Sequence, residues 1–164
     1  MDIRLSPMTR EYMHDLFREF VYDPDLFLDV SLYEKAKDSA YDPQKVDALF
    51  DRHSREEDRR SFAVLLGDKV IGQVDLKHIE WGKRTCELSI HLQSDAVKNR
   101  GFGTRAEQLA IAYAFNVLGM DHILADCVDK NRRSQHILEK LGFVPVGEEN
   151  GFKYFQLDRT KRKH

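Results

Sequence analysis

The residues with the clearest chemical potential form the heptapeptide Lys98-Asn99-Arg100-Gly101-Phe102-Gly103-Thr104. It lies between a strand-like run at 87–93 and a helix-like run at 105–118. Two glycines let the backbone approach a ligand with no β-carbon in the way. The helix that follows presents unpaired N–H groups and the positive end of its dipole. The chemistry of such a cradle is anion binding, for phosphate or pyrophosphate above all. Lys98 and Arg100 add positive charge at its rim. Just upstream, alternation along 85–93 puts Glu87, Ser89 and His91 on one strand face. Leu88, Ile90 and Leu92 fall on the other face.

Two familiar phosphate sites can be weighed against this spacing. Gly101-Phe102-Gly103-Thr104-Arg105-Ala106 matches the dinucleotide pattern G-x-G-x-x-G/A, with Asp126 and Asp129 roughly twenty residues on. In that motif, however, the turn follows its strand at once, whereas here the strand pattern ends near Gln93. The unit also sits late in the chain, and one helix and a hairpin after Asp129 are too few for a doubly wound sheet. No Lys-Ser/Thr follows the glycines, which excludes a P-loop.

The elements that must position the cradle read as one α/β domain of 164 residues. Thr9 caps a predicted helix to about Phe20, and Asp42-Pro43 opens another carrying Val46, Leu49 and Phe50. Short helical pieces are expected between 25 and 41, and a charged, solvated helix end at 54–60. The period then changes to two. Runs at 62–66 and 70–79 around Gly67-Asp68 predict a hairpin, followed by a strand at 85–93. After the cradle, Ala106, Leu109, Ala110, Tyr113 and Val117 mark the inner stripe of a helix that Gly119 ends. The apolar run 122–128 predicts a buried strand parallel to its predecessor. Asn131 or Asp129 caps a last helix facing inward with Ser134, Ile137, Leu138 and Leu141. A hairpin around Asn150-Gly151 closes the chain.

Composition excludes several classes. A net charge of −2 gives no basic field for nucleic acid, and the tail at 160–164 reads as a flexible basic end. No run is long and apolar enough for a signal peptide or membrane span, which predicts a cytoplasmic protein with no membrane partner. Cys86 and Cys127 lack metal-ligand spacing and read as buried, reduced thiols, with no metal expected.

The order strand, basic-x-x-Gly-x-Gly, helix, strand, Asn131-x-x-Ser134, then Glu139-Lys140-Leu141-Gly142-Phe143 resembles the GNAT superfamily of acyl-CoA-dependent N-acetyltransferases. The stretch from Asn131 to Phe143 is most similar to the subgroup of ribosomal-protein N-terminal (alanine/serine) and polyamine acetyltransferases. The resemblance implies a single-domain GNAT fold: a mixed, mostly antiparallel sheet with flanking helices and a splayed central strand. It implies acetyl-CoA as co-substrate, with its pyrophosphate on Lys98, Asn99, Arg100, Gly101, Phe102, Gly103 and Thr104. The pantetheine arm is expected along His91, Leu92 and Gln93, an N–H there, from Leu92, facing the acetyl oxygen, and Asn131 bonding the arm or capping its helix.

Many relatives protonate the leaving thiolate with a tyrosine whose place here is taken by Leu138. In the similar subgroup a serine at the place of Ser134 does this. Glu87, which shares a strand face with His91, and Asp126 are the carboxylates offered as general base, Glu87 being favoured. The helices within 9–55 are expected to bind the acceptor: a protein N-terminus, a polyamine or another small amine. Asp23, Asp25, Asp29, Glu34, Asp38 and Asp42 make that region acidic. A monomer or homodimer is expected, the latter because of an exposed sheet edge. The alternative is a non-catalytic acyl-CoA-binding module on the same fold.

Overall fold

A computed structural model describes residues 2–21, 30–37, 40–93 and 100–161. Its elements run β1 (Ile3–Pro7), α1 (Arg10–Arg18), α2 (Val30–Lys37), α3 (Pro43–Arg55), β2 (Arg60–Leu66), β3 (Lys69–Glu80) and β4 (Thr85–Leu92). They continue α4 (Phe102–Asn116), β5 (His122–Val128), α5 (Arg132–Lys140), β6 (Val144–Glu149) and β7 (Phe152–Asp158), ending in a short 3₁₀ turn, Arg159–Lys161. Of the basic tail expected at 160–164, Thr160 and Lys161 thus belong to this turn, and 162–164 lie outside the described residues.

The seven strands form one sheet in the order β1-β2-β3-β4-β5-β7-β6. Every neighbouring pair is antiparallel except β4 and β5, which are parallel with α4 as their crossover. β2 is buried on both sides, and its alternation separates two layers. Phe62 and Val64 join the main core with α4 and α5, whereas Ala63 and Leu65 join Leu16 of α1. α1 and α3 thus cover one face, α4 and α5 the other. Caps place the helices as the sequence predicts: Thr9 accepts from the Tyr12 N–H, and Asp42 from that of Gln44. Across α1 and α3, Arg10 reaches Asp47 at 2.9 Å, and His14 lies between Asp47 (2.8 Å) and the Tyr41 hydroxyl.

Three expectations need correction. α4 begins at Phe102, not Arg105, so Phe102, Gly103 and Thr104 form its first turn rather than a loop. The buried stripe of α4 is Ala106, Glu107, Ala110, Ile111, Ala114 and Phe115; Val117 is 65% exposed. Small alanines let the helix press close to the sheet, with Ile111 and Phe115 buried beside them and Leu109 and Tyr113 packed at the edge of the core. Glu107 escapes a hydrophobic-pattern reading because a carboxylate counts as a surface position. Finally, the charged run at 54–60 is not one helix end: α3 stops at Arg55 and Arg60 already pairs in β2 with Leu76.

Candidate active site

β4 and β5 diverge. Their ladder holds only for Thr85 with His122, Cys86 with Ile123 and Glu87 with Leu124. Beyond Glu87, β4 continues to Leu92 and β5 to Val128 without pairing to each other. The end of β4 is held instead by β3. The Gln93 N–H donates to the Ile71 carbonyl at 2.7 Å, and Gln93 oxygen accepts from Val21 at 2.7 Å. Ladder alternation then turns the backbone groups of Ile90 and Leu92 toward the gap, and those of His91 and Gln93 toward β3. Gly72 permits the close approach: a β-carbon there would lie 2.7 Å from the His91 carbonyl oxygen.

At the same end of β4, α4 presents its N-terminus. Gly101 is its N-cap, left-handed at φ 80°, with no side chain capping the first turn. A β-carbon on Gly101 would meet nothing within 4 Å. A helix N-terminus with no side-chain cap and a glycine at its start is the geometry of an anion cradle. Arg100 is exposed beside it. Lys98 and Asn99 lie outside the described residues.

The two sides of the gap carry different chemistry. On the α1/α3 face, Glu87 and Asp126 line one cavity of about 220 Å³, together with Lys77, Ser89, Val146 and Tyr154. Register brings these together: Lys77 lies opposite Glu87, and Tyr154 opposite Asp126. Asp126 is open at the mouth, yet partial enclosure by the cavity wall, and then the Glu87 charge, hold its carboxyl above the usual range; Lys77 works the other way. His91 is exposed on this face.

On the α4/α5 face, Asn131 caps α5 by accepting the Ser134 N–H at 3.1 Å. The Ser134 side chain lies beside the Cys127 thiol of β5, on the strand side of α5. Burial pushes the Cys127 thiol up, and the Cys86 thiol up to about 12. Both cysteines are free and buried, poorly suited as nucleophiles. Leu138, in the place of the family tyrosine, is buried in the core at 2% exposure.

Ser134 and the carboxylate pair therefore stand on opposite faces of the sheet, either side of the gap. Strand patterning singled out Glu87, and the family resemblance offered Asp126 and Ser134, but Lys77, Ile90, Val146 and Tyr154 were missed. Those enter through cross-strand register, which no local pattern encodes. A larger cavity of about 580 Å³, lined by Met8, Phe50, Arg60 and Trp81 among others, lies between the helices and the start of β2, away from the gap. Among the described residues no helix is long and apolar enough to cross a membrane.

Known proteins share this fold. A family model for the acetyltransferase (GNAT) domain matches residues 2–144. Spermidine N(1)-acetyltransferase of Escherichia coli (strain K12) is 33% identical over 100 residues, 61% of this chain and 53% of that protein. The corresponding Vibrio cholerae enzyme is 27% identical over 104 residues, 63% of this chain and 60% of its own length. The chain thus aligns with little more than half the length of these relatives. The solved spermidine N-acetyltransferase from Vibrio cholerae in complex with CoA and spermine superimposes with a TM-score of 0.75 at 20% identity, covering 97% of this chain and 96% of that one. The family match runs from β1 through α5 and takes in both the glycine turn and the gap between β4 and β5; the chain belongs to the GNAT acetyltransferase family.

Proposed function

We propose that this protein transfers the acetyl group of acetyl-CoA to a primary amine by direct attack in a ternary complex. The observation that carries the reading is the gap between β4 and β5, with an uncapped helix N-terminus at its end and ionisable groups on both faces. Backbone N–H groups of Phe102, Gly103 and Thr104, with Arg100, hold the pyrophosphate; Lys98 and Asn99 extend that cradle. The pantetheine amides pair with the free backbone groups of Leu92 and Ile90. Gln93, whose backbone groups are already bonded, anchors the strand end. Asn131 keeps its cap and offers its side-chain amide to the arm.

Glu87 takes a proton from the incoming ammonium, with Asp126 beside it drawing cations to the cavity. The neutral amine then attacks the thioester carbonyl. The Leu92 N–H faces the acetyl oxygen as charge develops there. Ser134, on the opposite face, supplies a proton to the departing thiolate, the role for which Leu138 has no functional group. Coenzyme A brings an already activated acyl group, so positioning and these two proton transfers are what the chain adds.

The matched relatives act on spermidine, and an apolar wall beside two carboxylates suits an alkyl chain bearing ammonium groups. A polyamine is therefore the acceptor class proposed. The test is thiol release from acetyl-CoA with a panel of spermidine, spermine, diamines and peptides with free N-termini, with products identified by mass. Acetylated spermidine is expected. Tight acetyl-CoA binding with no thiol release for any amine would instead indicate the non-catalytic module.

A further inference from the structure

We propose that His78 is a positioning residue for acetyl transfer, holding the Glu87 carboxylate and carrying its proton to solvent. This rests on Glu87 acting as the base. Three non-glycine residues among those described have positive φ: His78 (50°), Arg84 (57°) and Asn150 (53°). Arg84 and Asn150 occupy hairpin turns, where such angles are ordinary. His78 lies inside β3. A residue with a β-carbon is strained there, and strain of this kind concentrates at functional sites.

The strain has a local cause. Lys77 pairs with Glu87 and Glu80 with Thr85, so His78 and Ile79 together oppose a single residue, Cys86. The Ile79 N–H leaves the ladder and donates to the Asp58 carbonyl at 3.0 Å. Such a bulge re-aims the bulged side chain. Here it brings His78 Nδ1 to 3.0 Å from Glu87 Oε2. The His78 side chain is 62% exposed and that of Glu87, in the cavity wall, 35%, so the imidazole stands between the carboxylate and water. The other charged or titratable groups facing this cavity are Lys77 from β3, Asp126 from β5 and Tyr154 from β7. Lys77 shares a cross-strand position with Glu87, but an ammonium has no acceptor site for a proton; an imidazole nitrogen can both accept and donate one.

The proton balance is simple. An ammonium acceptor and acetyl-CoA give an acetamide, free CoA thiol and one proton. One amine proton ends on the sulfur as the C–S bond breaks and the N–C bond forms. The other passes from Glu87 to His78 Nδ1, and the imidazolium returns it to water.

The test uses the full chain and the best acceptor of the amine panel. Glycine adopts the angle at 78 without strain, so His78→Gly is expected to fold with an unfolding midpoint at least equal to the parent. Its kcat should fall about tenfold, less than the roughly hundredfold or more expected of a group that exchanges the proton with substrate itself, with KM for acetyl-CoA unchanged. Free imidazole, entering the space left by the side chain, should restore turnover, and should do nothing for Glu87→Gln. An unchanged kcat in both His78→Gly and His78→Asn would overturn the proposal. So would a loss that imidazole does not restore, since a purely structural role cannot be rescued that way. Full activity in Glu87→Gln would remove the base and the relay together, whereas an impaired Glu87→Gln beside an intact His78→Gly would remove only the relay.

Discussion

Glu107 is the group whose replacement has the largest calculable effect. It lies on the buried side of α4, 5% exposed. Burial raises its pKa from 4.5 to about 8. The unfolded chain releases this proton near pH 4.5, while the folded chain keeps it until about pH 8. Between those values the folded state binds more protons, so stability falls as pH rises. At 1.36 kcal/mol per unit, the full loss is roughly 5 kcal/mol above pH 8 and roughly 3 kcal/mol at pH 7.

Glu107→Gln has nearly the same shape and no charge to lose. It should match the parent near pH 4 and become increasingly more stable through pH 8. For a chain of this size, about 3 kcal/mol corresponds to roughly 6–12 °C in the unfolding midpoint at pH 7. Thermal unfolding of both proteins at several pH values between 4 and 9 measures the difference. A gap independent of pH, or a glutamine variant that loses stability at pH 8, would refute the argument that desolvation dominates at this site.

Other perturbations address the acetyl-CoA site. Gly72→Ala would place a β-carbon 2.7 Å from the His91 oxygen and 2.9 Å from Leu92 Cδ2. It should cost about 1–3 kcal/mol in chemical denaturation, as overpacking does, and weaken acetyl-CoA binding by shifting the end of β4. Gly103→Glu puts bulk and negative charge in the first turn of α4 and should abolish acetyl-CoA binding by calorimetry; unchanged affinity would remove the cradle from the mechanism. Ser134→Ala should lower kcat at least tenfold with acetyl-CoA affinity nearly intact, and a fully active variant would remove Ser134 from the mechanism.

The glycine turn was legible because its meaning is local: a glycine caps α4 and another stands in its first turn, where N–H groups have no carbonyl four residues back. Strand limits were legible for the same reason, since Leu88, Ile90 and Leu92 alternate with Glu87, Ser89 and His91 regardless of neighbours. Glu107 and the stripe of α4 were not, because the depth at which alanines let that helix sit depends on the sheet beneath. The pairing state of Gln93 was equally hidden. Its backbone bonds go to Ile71 and Val21, both distant in the chain.

By itself, then, the order of residues determined the fold class, the anion cradle and the candidates Glu87, Asp126 and Ser134. Fold class and cradle follow from period and turn chemistry, Glu87 from its strand face, and Asp126 and Ser134 from the resemblance to the acetyltransferase family. Tertiary structure decided that β4 and β5 part after Glu87, that the carboxylates and Ser134 stand on opposite faces of that gap, and that a bulge sets His78 against Glu87. These depend on register between strands far apart in sequence, where a shift of one residue sends every side chain to the other face.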